Sequence, residues 1–172
     1  MERSAEERFQ SIYTRHVDAV TAYVRRRTEA DSVEDVVAET FVVCWRRLDR
    51  VPDEPLPWLL AVARKTLANQ YRAAARPRVA SGDRQTSEVE LVGDPVLAQA
   101  FARLAEADRE VLRLVAWEQL SLREAAKALG CSYVACRVRF HRARRRLTAN
   151  LEALEHAATA ARRPQVEGVT HR

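Results

Sequence analysis

Apolar residues return along this chain at helical spacing and show no strand-like alternation, which predicts an all-α protein. From Phe9 they recur at Ile12, Tyr13, Val17, Val20, Tyr23 and Val24, the inner stripe of a first helix. Arg25, Arg26 and Arg27 close it, where cations suit the negative end of the helix dipole. Ser32 and Asp35 have the spacing of a capping box. Val33, Val37, Phe41, Cys44, Trp45 and Leu48 then give a second amphipathic helix, with Asp35, Glu39 and Arg46 on its other face. Pro52, Pro55 and Pro57 interrupt the pattern with a stiff, shaped loop. Trp58 opens a third helix, with Leu59, Val62, Ala63, Thr66 and Leu67 inside and Arg64, Lys65, Asn69, Gln70 and Arg72 outside.

Between Arg76 and Pro95 the periodicity disappears into Pro, Ser, Gly and charges, the composition of an interdomain linker. Asp94 and Pro95 then offer an N-cap and a first-turn proline. Phe101 and Leu104 belong to one short helix, and Val111, Leu112, Leu114, Val115 and Trp117 to the next. In the following stretch, Ser121 and Glu124 form a capping box, Gly130 supplies a turn and Ser132 caps another helix. This is a helix-turn-helix spacing. On its second helix Cys136, Phe140, Ala143 and Leu147 fall on one apolar stripe. Val134, Arg137, Val138, His141, Arg142 and Arg145 occupy the opposite arc, the face a recognition helix inserts into a major groove. The helix continues through Leu151 and Leu154 and frays near Arg162 and Arg163. The expected units are therefore 1–75, a linker over 76–95, a four-helix unit over 96–162 and a tail over 163–172.

Charge sharpens the helix-turn-helix reading. From Ser121 to Leu147 eight basic residues face one acid, +7, whereas the whole chain is only +5. Residues 1–75 balance twelve basic against twelve acidic side chains. A basic run by itself is usually a solvated face; here it coincides with two caps, a glycine turn and an apolar stripe, which favours DNA. Cys44, Cys131 and Cys136 are odd in number and lack a C-x-x-C pair, so a reducing, cytoplasmic setting is expected. Cys136 and His141 diverge around one helix and are not expected to chelate a metal. With no phosphate loop, no H-E-x-x-H, no G-x-S-x-G and no paired acid and base, the expectation is a protein without catalytic residues or cofactor. No long apolar run calls for membrane insertion. Two classes remain on these grounds: a DNA-binding transcription protein, or a helical interaction protein without DNA affinity.

Three stretches, Asp35 to Leu48, Pro57 to Arg72 and Phe101 to Leu147, resemble in order the extracytoplasmic-function (group IV) sigma factors of bacterial RNA polymerase. The resemblance covers most of the chain. It implies a non-enzymatic initiation factor of two helical domains, sigma regions 2 and 4, with core RNA polymerase, through its β′ clamp helices and β subunit, and promoter DNA as partners, and an anti-sigma factor as a further one. It implies polymerase contact through Asp35, Glu39, Thr40 and Arg46, with Phe41 and Trp45 in the core. Lys65, Asn69 and Arg72 would lie near the −10 element, and Tyr71 suits either base stacking or the core. Ser132, Tyr133, Arg137, Val138, His141, Arg142, Arg144 and Arg145 would meet the −35 element, with Arg144 and Arg146 toward phosphates. Ala38, Asn69 and Val138 depart from the glutamine, aspartate and serine usual at those places. The competing assignment is a freestanding helix-turn-helix regulator that binds an operator; it would need a ligand pocket or dimer interface in the first domain.

Overall fold

A computed structural model describes residues 4–74 and 93–161, all of it helix, turn and loop. The first helix, α1 (Ala5–Arg25), begins one turn before the apolar stripe because Ser4 and Glu7 cap it reciprocally. Ile12, Val20, Tyr23 and Val24 are buried along it, but Tyr13 points outward. The second helix, α2 (Ala30–Arg46), also begins early. Its N-cap is Glu29, which makes no side-chain cap bond, and Ser32 sits inside the helix. The Ser32–Asp35 capping box is thus not formed: the chain has already turned helical, and the Ser32 amide donates to the Glu29 carbonyl at 3.1 Å.

A 3₁₀ turn (Leu48–Arg50) and the proline loop carry the chain into α3 (Leu56–Ala74). Arg8 of α1 reaches across to donate to the carbonyls of Leu48 and Val51, at 2.8 and 2.6 Å. With Val51, Pro55 and Pro57 buried, this loop is packed as well as stiff. The third helix starts at Leu56, ahead of Trp58, and buries Leu59, Leu60, Ala63 and Leu67, while Val62 and Thr66 are only partly covered. Helices α1, α2 and α3 pack mutually around Val20, Tyr23, Val36, Cys44 and Leu59.

The second unit opens with α4 (Pro95–Ala102), whose Asp94 cap accepts from the amides of Val96 and Leu97. Helix α5 (Glu106–Ala116), helix α6 (Leu122–Leu129) and the long α7 (Tyr133–Ala161) follow. Leu104 lies in the turn after α4, not on the helix, and is buried there. Helix α7 closes the unit against α4, α5 and α6. Phe101 meets Trp117 edge to face at 5.6 Å, and Asn150 donates to the Ala100 carbonyl at 3.0 Å. The linker stretch 75–92, including Gly82, and the tail 162–172, including Gly168, lie outside the described residues.

The two units share a buried polar seam. At the end of α1, the Tyr23 hydroxyl donates to Glu110 at 3.0 Å, and Arg27 donates to Glu110 and to Glu118, each at 3.0 Å. Arg26 also pairs with Glu118. The Arg27 guanidinium lies 3.6 Å from the Tyr23 ring centre. Burial alone would lower the Arg27 pKa, but Tyr23, Glu110 and Glu118 outweigh it and the net shift is upward. Burial, with help from Glu110, pushes the Tyr23 phenol far upward. A second tie joins α3 to α6, where Arg64 donates to the Leu129 carbonyl at 3.1 Å.

Candidate nucleic-acid interface

The helix-turn-helix forms as its local chemistry demands. Ser121 accepts from the Glu124 amide at 3.3 Å, and Glu124 accepts from the Ser121 amide at 2.8 Å. The Ser121 hydroxyl and amide together hold the Glu124 carboxyl below the usual carboxylate range. Helix α6 ends at Gly130, whose φ of +67° and ψ of 35° are left-handed, and the Cys131 amide returns to the Ala126 carbonyl at 3.0 Å. Ser132 then accepts from the Ala135 amide at 3.2 Å and starts α7. Ala126 is buried at the helix crossing.

The two arcs of α7 separate as the sequence predicts. Cys136 and Ala143 are fully buried and Phe140 and Leu147 partly so. Ser132, Tyr133, Val134, Arg137, Val138, His141, Arg142, Arg144 and Arg145 are exposed. Arg123 of α6 lies 4.9 Å from the Tyr133 ring centre and orients it, and Arg144 lies 5.8 Å from that of Phe140. Arg146, expected only toward phosphates, also pairs with the buried Asp108 of α5 and fastens α7 to its own domain. Cys131 and Cys136 are free thiols, and burial pushes that of Cys136 up.

On α3, Lys65, Asn69 and Arg72 form one exposed row, with Arg72 donating to Asn69 and, at 3.2 Å, to the Ala68 carbonyl. Tyr71 lies between its two alternatives: it is exposed, yet its hydroxyl donates to the Arg27 carbonyl. On α2, Asp35, Glu39 and Arg46 are exposed and fall within about 40° of arc at 100° per residue.

Two expectations on α2 are overturned. Thr40 is 0% exposed and donates to the Val36 carbonyl at 2.7 Å, so it has no surface to offer a partner. Trp45 is 46% exposed and not in the core; it meets Phe9 edge to face at 5.2 Å between ring centres, whereas Phe41 is buried. Tyr13 meets Phe41 edge to face at 4.8 Å beside it. Val42, 39% exposed, sits between Glu39 and Arg46 on the same face and was not among the expected contact residues. An apolar residue falling on the polar arc was the available signal.

Residues 12–77 match the family Sigma-70 region 2, and residues 96–147 match Sigma-70 region 4. The chain is 29% identical over 162 residues to the RNA polymerase sigma factor NccH of Alcaligenes xylosoxydans xylosoxydans, covering 84% of this chain and 87% of that protein. It is 31% identical over 141 residues to the RNA polymerase sigma factor CnrH of Cupriavidus metallidurans, covering 70% and 74%. The structure of CnrH in complex with the cytosolic domain of CnrY superposes with a TM-score of 0.62 at 32% identity over 84% of this chain and 88% of that one. The sigma factor RpoE, solved with the anti-sigma factor NepR from Bartonella quintana, shares the fold at 24% identity and the same TM-score over 84% of this chain and 96% of that one.

The chain belongs to the sigma-70 family of RNA polymerase sigma factors, of the extracytoplasmic-function type. It binds core polymerase and directs it to promoters, which sets aside the freestanding operator-binding regulator. No helix among the described residues is long and apolar enough to cross a membrane.

Proposed function

We propose that this chain is a group IV sigma factor acting in the cytoplasm without catalysing a reaction itself, with residues 1–75 binding polymerase and the −10 element and residues 96–162 binding the −35 element. The observation that carries the second assignment is the division of α7 into a buried apolar arc and an exposed arc of Arg137, Val138, His141 and Arg142. Helix α7 enters the major groove, with Ser132, Tyr133, Arg144 and Arg145 completing the contact. Asp35, Glu39 and Arg46 meet the β′ clamp helices, with Val42 as the apolar centre of that strip. Lys65, Asn69 and Arg72 line the path of the −10 strand. The relatives' structures with CnrY and NepR support an anti-sigma factor as a further partner.

The polar seam gives this assignment a conformational step. Elements named −10 and −35 lie about 25 base pairs apart, or ~85 Å of duplex. A compact chain of this length is only ~40 Å across. The two units therefore part when polymerase presents both elements, and Tyr23, Arg26 and Arg27 leave Glu110 and Glu118.

The test is to add the full chain to bacterial core polymerase with genomic fragments. Discrete transcripts from a cognate promoter are expected. Failure to bind core polymerase or to initiate anywhere would sink the assignment.

A further inference from the structure

The exposed arc of α7 is basic, yet two β-branched residues stand at its centre. Val134 is 62% exposed and Val138 45% exposed, and both belong to the first two turns of the helix. At 100° per residue the buried stripe of Cys136, Phe140, Ala143 and Leu147 centres on one direction, and Val134 and Val138 lie on either side of the opposite pole, about 30° and about 10° from it. Arg137 flanks them on one side and Arg142 on the other. A cylinder pressed into a groove by such flanking cations makes its deepest contact through the line opposite the stripe, and over the first two turns that line is apolar, with Arg145 continuing it two turns further along the helix.

An exposed valine pair in water gains nothing from its hydration, and β-branching slightly disfavours a helix. The major-groove edge of DNA presents one apolar group, the C5 methyl of thymine. Four residues of helix advance about 6 Å, close to two base-pair steps of 3.4 Å. We infer that Val134 and Val138 read thymine methyl groups on neighbouring or next-but-one base pairs of the −35 element, while Arg137 and Arg142 hold the helix in register on either side. This rests on the assignment of α7 as the groove-entering helix, and it adds which chemical group selects the sequence at the helix centre.

The test uses the holoenzyme reconstituted with core polymerase and a −35 element recovered by selection from randomised duplex. Each thymine, on either strand, is replaced by deoxyuridine, which removes the methyl and keeps every hydrogen-bonding group. One or two replacements are expected to lower promoter binding about fourfold, the worth of one methyl-sized apolar contact. The same replacements should be silent in Val134→Ala/Val138→Ala, whose helix content is checked by circular dichroism.

Three results overturn the inference: a selected element without thymine in the contacted steps, no loss with deoxyuridine, or an equal loss in wild type and variant. Arg137→Ala separates this from failure of the underlying assignment. If that variant loses −35 discrimination while deoxyuridine has no effect, α7 enters the groove but the valines do not read methyls. If neither variant alters −35 discrimination, α7 is not the reading helix.

Discussion

The Tyr23 hydroxyl donates to the Glu110 carboxylate at 3.0 Å across 87 positions of sequence, and both side chains are buried. Arg27 joins the same carboxylate and, through Glu118, a second one. Removing one member of a buried ion pair strands the other, at about 3–5 kcal/mol. Glu118→Ala is expected to loosen the seam and to enlarge the radius of gyration measured by small-angle X-ray scattering. Replacing the network as a whole, Arg26→Leu and Arg27→Met with Glu110→Gln and Glu118→Leu, should recover most of the compactness, since no charge of the seam is then stranded. An unchanged radius in Glu118→Ala would mean that the apolar contacts alone keep the units together.

Gly130 is a cleaner case. Its φ is +67° and an added Cβ would meet nothing within 4 Å, so the cost of a side chain is conformational only. Gly130→Ala should destabilise the protein by about 1–2 kcal/mol in urea unfolding. Gly130→Asn should cost less, because asparagine tolerates the left-handed region.

On α2, exposure separates two neighbouring residues. Glu39→Ala should weaken binding to core polymerase in a fluorescence titration. Thr40→Val should leave that affinity unchanged and lower stability by about 1 kcal/mol, through loss of the bond to the Val36 carbonyl. A drop in affinity from Thr40→Val with stability intact would place this side chain at the interface after all.

Glu106 sets an acid limit on the second unit. Burial alone would raise its pKa, but Arg113 at 3.0 Å and Arg109 at 2.6 Å outweigh that and hold the carboxyl below its ordinary range. Since the folded pKa lies below the unfolded ~4.3, the stability it contributes is complete above that value. It is lost as pH falls through the folded pKa. Wild type and Glu106→Gln should therefore differ in stability at pH 6 and converge in strong acid, as followed by circular dichroism.

The helix-turn-helix was legible because every signal in it is local: Ser121 with Glu124, Gly130, Ser132 and the α7 stripe each fix backbone within a few residues. The start of α2 was misplaced because Ser32 and Asp35 satisfy a spacing rule that the chain ignores once Glu29 has begun the helix. Thr40 and Trp45 exchanged places with expectation for a tertiary reason. A short hydroxyl can bond back to the carbonyl four residues earlier and be buried, and a large indole can stay half outside when Phe9 and Phe41 already fill the space below it. The seam was invisible in sequence: nothing local tells that Arg27 meets carboxylates more than 80 positions away.

Arg26, Arg27 and Arg64 are all spent on this seam, on Glu118, Glu110 and the Leu129 carbonyl. Parting the two units releases three guanidinium groups from the first domain, which is neutral in total, and leaves Glu110 and Glu118 with the second. The closed chain thus keeps part of its cationic inventory out of reach of nucleic acid. Affinity for stray duplex should be weaker in the closed form, and its decline with added salt shallower, than the open form would show. A protein that must ignore most of a genome until polymerase holds it gains selectivity from keeping those charges folded away.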